Sequence, residues 1–300
     1  MPVINTQKYQ ELLSLNKDAL FIKIDHDEGM VATVYKVLEQ NGSPCILKVC
    51  ESPFDYANEV YFLGYFSKQI LVPKIISTVP PETENFGAVL MEYLPGDLLT
   101  PHTITKEIAF EIGKSLAIIH ENKTNGFGYL NRNLELSPDP ILHFKAKFEE
   151  GIDECKGHLP KDTILKSLNY FNDSLKLLEQ VDGPCIIHRD FRPGNIIIHQ
   201  NTLRGIIDWS SARSGFAEDD FCSIEHGEWG DFNGYKNIFL DGYRSVRAVP
   251  NYNAVIPLLR LNRSLAVIGF TVKRNTWSNI HAKAYKFNRK YIDMFDFENS

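Results

Sequence analysis

Apolar residues over the first hundred positions fall into short β-rich runs, Phe21 to Ile24, Val31 to Leu38 and Cys45 to Cys50. The segments Asp25-His26-Asp27-Glu28-Gly29 and Gln40-Asn41-Gly42-Ser43-Pro44 divide them, with Asn-Gly and Pro marking reversals. Helical spacing takes over from about Phe54 to Ser67, where Ala57, Val60, Tyr61 and Gly64 recur at three and four. Val72-Pro73 ends this helix, because the residue before a proline avoids helical geometry. A further strand, Gly87 to Tyr93, runs into Leu94-Pro95-Gly96, and the Pro-Gly pair predicts a hinge.

Beyond Gly96 the period changes from two to 3.6. Ile104 to His120 reads as an amphipathic helix with Ile108, Ile112, Leu116 and Ile119 on one face. Further helices are predicted from about Ile141 to Cys155 and from Thr163 to Gln180. Ile196 to His199 and Leu203 to Ile207 flank Gln200-Asn201-Thr202 as a hairpin, and the chain from Asp219 onward reads as helical. The pattern predicts an α+β architecture, with a small β-rich N-terminal lobe over residues 1–94 and a larger, mainly helical C-terminal lobe over 95–300.

Composition narrows the classes. The 300 residues are 43% hydrophobic and carry a formal charge of −6, a bias opposite to that of proteins that grip nucleic-acid backbones. The five cysteines are odd in number and scattered, with no CxxC pair, and read as reduced core thiols. The start, Met1-Pro2-Val3-Ile4, lacks a signal-peptide pattern, and Arg260 and Arg263 interrupt the longest apolar stretch. A cytoplasmic protein without membrane or nucleic-acid partner, monomeric or homodimeric, is the expectation.

The chemistry concentrates in Ile186-Ile187-His188-Arg189-Asp190-Phe191-Arg192-Pro193-Gly194-Asn195-Ile196, a strand, a loop and the start of another strand. Asp190 and Asn195 stand five apart, and Asp208 follows at the end of the hairpin's second strand, in Ile206-Ile207-Asp208-Trp209. Phosphoryl transfer needs such a set: one carboxylate to orient the attacking hydroxyl, and carboxylate and amide oxygens to hold Mg²⁺ against nucleotide phosphates. Chance yields H-x-D-x-x-x-x-N in roughly four of a hundred sequences of this length, and the Pro-Gly before the Asn lowers that by a further factor of roughly 300.

His188 to Asn195 resembles the catalytic loop of the protein-kinase-like fold, and its Pro-Gly-Asn ending resembles the aminoglycoside phosphotransferase and choline kinase family. Ile207-Asp208-Trp209 stands where protein kinases carry Asp-Phe-Gly, and no Ala-Pro-Glu follows. The resemblance implies a bilobal kinase fold and a small-molecule kinase using ATP or GTP with Mg²⁺. It implies that Asp190 orients the hydroxyl, that Asn195 and Asp208 hold the metal, and that Lys48, in Ile46-Leu47-Lys48-Val49, meets the nucleotide phosphates and pairs with Glu59. Glu92, Tyr93 and Leu94 correspond to the segment that takes the adenine edge, and Gly29 to the phosphate-covering loop, which here has one glycine in place of three. His188 and Asp220 would support the catalytic loop. Arg192, at a protein-kinase lysine position, either steadies the transferring phosphoryl group or lies solvated.

The acceptor is less determined. Seven carboxylates from Glu218 to Asp241 face Lys236 alone in that stretch. Such a field suits a cationic hydroxyl compound, an aminoglycoside or an amino alcohol, with Glu225, Glu228 and Asp231 as the contacting groups. The same run also fits a solvated acidic helix face. Trp229 and Tyr235 are either an aromatic wall for an ammonium group or core residues. The acidic-aromatic end, Tyr291 to Glu298, either contacts substrate, as in aminoglycoside kinases, or docks the last helix. A metabolic kinase for a neutral or anionic sugar or amino-acid substrate is the alternative, and a catalytically silent nucleotide-binding regulator is a third reading. Whether the enzyme serves antibiotic resistance or metabolism is open.

Overall fold

The computed structural model describes residues 4–24, 32–40, 42–131, 135–230 and 232–297; the side chains of His143 and His226 are left aside. The first elements in chain order are α1 (Thr6–Leu12), β1 (Leu20–Ile24), β2 (Ala32–Leu38), β3 (Cys45–Cys50), α2 (Pro53–Phe66), β4 (Ile75–Val79) and β5 (Gly87–Glu92). Then come β6 (Asp97–Leu98), α3 (Lys106–Glu121), α4 (Pro140–Cys155), α5 (Lys161–Ser174), β7 (Cys185–Ile187), β8 (Ile196–His199) and β9 (Thr202–Ile206). The chain closes with β10 (Arg213–Gly215), α6 (Ala217–Ser223), α7 (Lys236–Arg244), α8 (Ile256–Lys273) and α9 (Ala282–Asp293). An N-terminal antiparallel sheet and a mainly helical C-terminal part make this an α+β protein-kinase-like fold.

By its contacts the chain groups into two compact units. The first joins Met1–Ile118 to His188–Ala212 and Trp229–Arg247. The second joins Ile119–Ile187, Arg213–Glu228 and Ala248–Ser300.

In the first unit β1-β2-β3-β5-β4 form an antiparallel sheet, with Lys48 of β3 paired to Val34 on one side and Val89 on the other. Its core includes Val37, Leu47, Val49, Ala88 and Leu90, closed by Tyr9 and Leu13 from the α1 end. Helix α2 starts where the sequence provides its own cap: the Ser52 hydroxyl accepts the Phe54 and Asp55 N–H groups, and Pro53 fills the first turn. It ends at Phe66, short of Val72-Pro73, as the Gln69 and Ile70 N–H groups both turn back to the Phe66 carbonyl. Strand β4 pairs with β5 through a register shift, and so lacks the regular alternation that would reveal it in the sequence.

The hairpin β8–β9 turns on two residues, Gln200 and Asn201, with φ of 48° and 63°. That is the left-handed pair a two-residue turn requires, one residue shorter than the sequence suggests. Strand β6 pairs with β8, and α3 meets α7 where each supplies a glycine. A Cβ on Gly113 would lie 1.9 Å from the Phe239 carbonyl oxygen, and one on Gly242 would lie 2.0 Å from that of Phe110. Gly242→Ala is therefore expected to destabilise the protein by about 1–3 kcal/mol in denaturant titration despite alanine's better helix propensity, because the helices must part.

In the second unit α4 packs along α8 over a core containing Phe144, Phe148, Phe171, Leu258 and Leu265, with Phe148 stacked on Phe171 at 4.0 Å. The helix expected to Gln180 ends at Ser174 and continues as a 3₁₀ turn, Leu175–Gln180. That winding brings Leu175 and Leu178 to one side, against the same core. The end of the chain is α8 and α9 with intervening loops, not one continuous helical run. Among the described residues no helix is long and apolar enough to cross a membrane, and all five cysteines are free thiols.

Candidate active site

The first unit brings Lys48, Glu59 and Asp208 together. Lys48 Nζ donates to Glu59 Oε2 and to Asp208 Oδ1, each at 2.7 Å. Lys48 and Glu59 are buried at 7% and 1% exposure, so neither charge could be held without the other. Burial works against the ammonium, but the carboxylates of Asp208 and Glu59 outweigh it and hold Lys48 above the usual lysine range. Burial likewise pushes Asp208 up, and Lys48 overrides it to hold Asp208 below the usual carboxylate range. For Glu59 burial dominates, and its pKa is raised.

Asp208 stands two residues past the end of β9 with φ of 65°, a left-handed conformation uncommon for a residue with a side chain. Its neighbours hold it there. The Trp209 N–H donates to Glu59 Oε2 at 2.9 Å, the Ser210 hydroxyl donates to Asp208 Oδ1 at 2.9 Å, and the Ala212 N–H closes back to the Trp209 carbonyl. The Trp209 ring is fully buried, stacked on Phe66 at 4.8 Å and Phe62 at 6.2 Å, both from α2.

The segment from His188 to Asn195 is tied by its own side chains. The Asn195 amide donates to Asp190 Oδ2 at 2.7 Å and to the Asp190 carbonyl at 2.8 Å. Arg192 Nε donates to the same Oδ2 at 3.1 Å. Buried His188 faces the Asp190 N–H with Nδ1 at 3.3 Å and the Ile207 carbonyl with Nε2 at 3.2 Å, an arrangement in which Nδ1 accepts and Nε2–H donates. The Ile207 N–H in turn donates to the Asn195 carbonyl, and Ile196 pairs with Ile206. Asn195 and Asp208 thus leave the same end of one hairpin.

The residues present fit a hard divalent cation. Among the described residues none donates to Asn195 Oδ1 or Asp208 Oδ2, although both side chains are otherwise engaged. One carboxylate and one amide oxygen, completed by phosphate and water, suit Mg²⁺. No group of three or more His, Cys, Asp or Glu that could hold a metal occurs among the described residues.

The other candidates are distributed as follows. Glu92 ends β5 with its N–H on the Lys74 carbonyl. Tyr93 lies under Lys36 Nζ at 4.1 Å, and Leu94 fills the space beside Gly205 of β9. Gly29 and Asp231 lie outside the described residues. Glu225 and Glu228 belong to the second unit, on residues 224–228, where Gly227 breaks the helix with φ of 102°. Asp220, also there and fully buried, meets His120 Nε2 at 3.0 Å.

Much of the acidic run is engaged internally. Glu218 accepts the Asp182 N–H, Asp219 faces Arg213 at 3.7 Å, and Asp241 pairs with Arg244. Trp229 is a core residue rather than an exposed wall: it stacks on Phe191 and Phe232, and its indole N–H donates to the Phe191 carbonyl at 3.0 Å. At the chain's end, Tyr291 packs under Arg260, and Phe295 and Phe297 pack on Tyr170. Sequence spacing did not single out Asn58 or the loop-facing N–H of Trp229, because each acquires its partner only through tertiary contact, nor Ser210, whose bond to Asp208 two residues before it depends on the left-handed turn.

Known proteins share the fold. The chain superposes on a thermostable mutant of aminoglycoside phosphotransferase APH(4)-Ia in ternary complex with AMP-PNP and hygromycin B at a TM-score of 0.71 and 12% identity, over 96% of this chain and 97% of that one. A gentamicin complex of APH(2″)-IIa gives 0.71 at 15% identity, over 99% of each chain. A microcompartment-associated aminopropanol kinase gives 0.67 at 18% identity, over 98% and 100%. No protein of curated function matches the sequence. The profile of the phosphotransferase enzyme family APH matches residues 25–248, and the chain belongs to that family.

Proposed function

We propose that this protein is a kinase that transfers the γ-phosphoryl group of ATP, or of GTP, to a hydroxyl of a small cationic acceptor. The observation that carries the reading is the joining of Asp190, Asn195 and Asp208 around one hairpin, with Lys48 bonded to Asp208. Asp190 accepts the acceptor hydroxyl and receives its proton as the new O–P bond forms and the bond between the γ-phosphorus and the bridging oxygen breaks. Asn195 and Asp208 would hold Mg²⁺, which supplies charge neutralisation on the phosphates when bound. Lys48, kept cationic by two carboxylates, positions the nucleotide phosphates, and Arg192 adds positive charge beside the reacting group. His188 holds the loop and exchanges no proton. Glu92, Tyr93 and Leu94 would take the adenine edge, Gly29 the phosphates, and Asp220 and His188 are the groups assigned to support the loop.

A cationic acceptor is supported by the company the fold keeps: hygromycin B, gentamicin and aminopropanol are all amine-bearing hydroxyl compounds. Glu225, Glu228 and Asp231 are the groups proposed to meet it. The internal engagement of Glu218, Asp219 and Asp220 favours the second reading, a neutral or anionic acceptor.

The test is a panel of aminoglycosides, amino alcohols and neutral sugars, with nucleoside diphosphate release from ATP and GTP measured. The expected outcome is turnover with an amine-bearing acceptor whose KM rises severalfold as salt goes from about 0.05 to 0.5 M, since the Debye length shortens from over 10 Å to a few Å. Faster turnover of a neutral sugar, with a KM indifferent to salt, would establish the second reading instead.

A further inference from the structure

Helix α2 offers the turn after Asp208 more than Glu59. Its Asn58, 1% exposed, donates through one amide nitrogen to the Ser210 carbonyl at 2.6 Å and to the Ala212 carbonyl at 3.1 Å. The other half of that amide, Oδ1, is buried and has no partner among the described residues. A buried polar atom left unpaired disfavours the folded state. Beside Glu59 the buried face of α2 is apolar, with Phe62 and Phe66 stacked on Trp209, so an aliphatic residue of the same volume would remove the unpaired oxygen and give up only the two bonds to the turn. What Asn58 supplies instead is a pair of bonds to the two carbonyls that define the turn 208–212. The first residue of this turn is the left-handed Asp208.

We propose that Asn58 is a positioning residue of the phosphoryl-transfer site: by bridging the Ser210 and Ala212 carbonyls it fixes the turn from which Asp208 presents its outer oxygen to the metal. This rests on the reading of Asp208 as a metal ligand. The division of labour is geometric. Glu59 fixes the turn at the Trp209 N–H, Ser210 fixes the carboxylate at Oδ1, and Asn58 fixes the carbonyls beyond. Without Asn58 the Ser210 and Ala212 carbonyls lose their side-chain donor and the turn keeps only its own Ala212-to-Trp209 bond and the Glu59 contact, and a residue in a sparsely populated conformation relaxes when the structure around it no longer over-determines it. Partners that orient metal ligands in this way are typically worth about 10–100-fold in metal affinity. The Asn58 contact also ties α2 to the turn through bonds that do not involve Lys48, so the helix stays docked whether or not Lys48 is on a phosphate.

The experiment compares wild type, Asn58→Leu and Asn58→Ser by titration calorimetry with AMP-PNP, with and without Mg²⁺, alongside thermal unfolding. In Asn58→Leu the Mg²⁺-dependent gain in nucleotide affinity is expected to fall about tenfold while metal-free affinity holds within about twofold. Asn58→Ser, which keeps one hydroxyl, is expected to fall between, and it carries the test alone if the leucine variant does not fold. A lowered Tm with the full wild-type Mg²⁺ gain in the folded variants makes Asn58 merely structural and overturns the proposal. A wild-type protein whose nucleotide affinity ignores Mg²⁺ overturns the metal reading itself, and the proposal with it.

Discussion

Replacing Asp190 with asparagine is expected to lower kcat by about 10²–10⁴-fold, the usual contribution of a positioned proton acceptor, with nucleotide affinity kept within about threefold. The two donors on Asp190 Oδ2, Asn195 Nδ2 at 2.7 Å and Arg192 Nε at 3.1 Å, fix the plane of the carboxylate. An asparagine keeps the shape and one acceptor oxygen, so both donors retain a partner and the loop stays in place. What it loses is the negative charge and the basicity that receive the hydroxyl proton. Alanine removes the anchor as well, leaving the Arg192 guanidinium without its carboxylate and the Asn195 amide with only the Asp190 carbonyl. Asp190→Ala is therefore expected to match or exceed the loss in kcat and also to weaken Mg²⁺-dependent nucleotide binding, because Asn195 is no longer held. Single-turnover measurements separate the two: the asparagine variant lowers kcat and kcat/KM together, as loss of an interaction made in the transition state requires. A kcat within fivefold of wild type for Asp190→Asn, at saturating acceptor, would remove Asp190 from the chemistry.

The contrast between these two substitutions also marks what the sequence could disclose. Asp190, Asn195 and Asp208 are legible from spacing because the path between them is short and regular. Five residues of loop and a two-residue hairpin turn leave few ways for the three to separate, and the β8–β9 register then fixes Asn195 opposite Ile207. Lys48 and Glu59 sit 160 and 149 positions before Asp208. Their meeting is decided by the sheet register and by the Phe62–Phe66–Trp209 stack, so only the family resemblance could suggest it. Asn58 left no such trace, since one asparagine at helical spacing reads as a surface residue until its partner carbonyls arrive. The acidic run misled in the other direction. A linear count of carboxylates cannot see that Glu218 caps the Asp182 N–H, or that Asp219 and Asp220 meet Arg213 and His120. Trp229 is ambiguous for the same reason: an indole among acids fits a substrate wall and a core equally, and its bond to the Phe191 carbonyl exists only in three dimensions.

Lys48 carries the second large effect, and here the magnitude is thermodynamic. Lys48→Met keeps the bulk of the stem but leaves Glu59, 1% exposed, without its cation. Removing one partner from a buried pair costs about 3–5 kcal/mol, and that is the deficit expected from urea denaturation at pH 8. The Asp208 side chain is 37% exposed, so water screens much of its share, and the deficit arises mainly from Glu59. The sign of the pH dependence follows. In wild type, Asp208 is held low, so its contribution is present above the usual carboxylate range and fades only as pH falls through its depressed pKa. Lys48 is held high, so its contribution is present below the usual lysine range and fades only as pH rises through its raised pKa. Between these limits the wild-type pair keeps both contributions. In Lys48→Met, Glu59, already raised by burial, loses the charge that opposed the rise and climbs further. A carboxyl whose folded pKa is raised favours folding below its unfolded pKa and loses that advantage as pH rises through the folded value. The deficit should therefore shrink on acidification from pH 8 toward 5, by roughly 1.4 kcal/mol for each pH unit over which Glu59 is protonated in the folded state alone. Adding Glu59→Gln to Lys48→Met should abolish that pH dependence while restoring part of the stability, since the amide oxygen can still accept the Trp209 N–H. A deficit that stays constant from pH 8 to 5, or a double variant that titrates like the single one, would show that Glu59 is not the group left uncompensated.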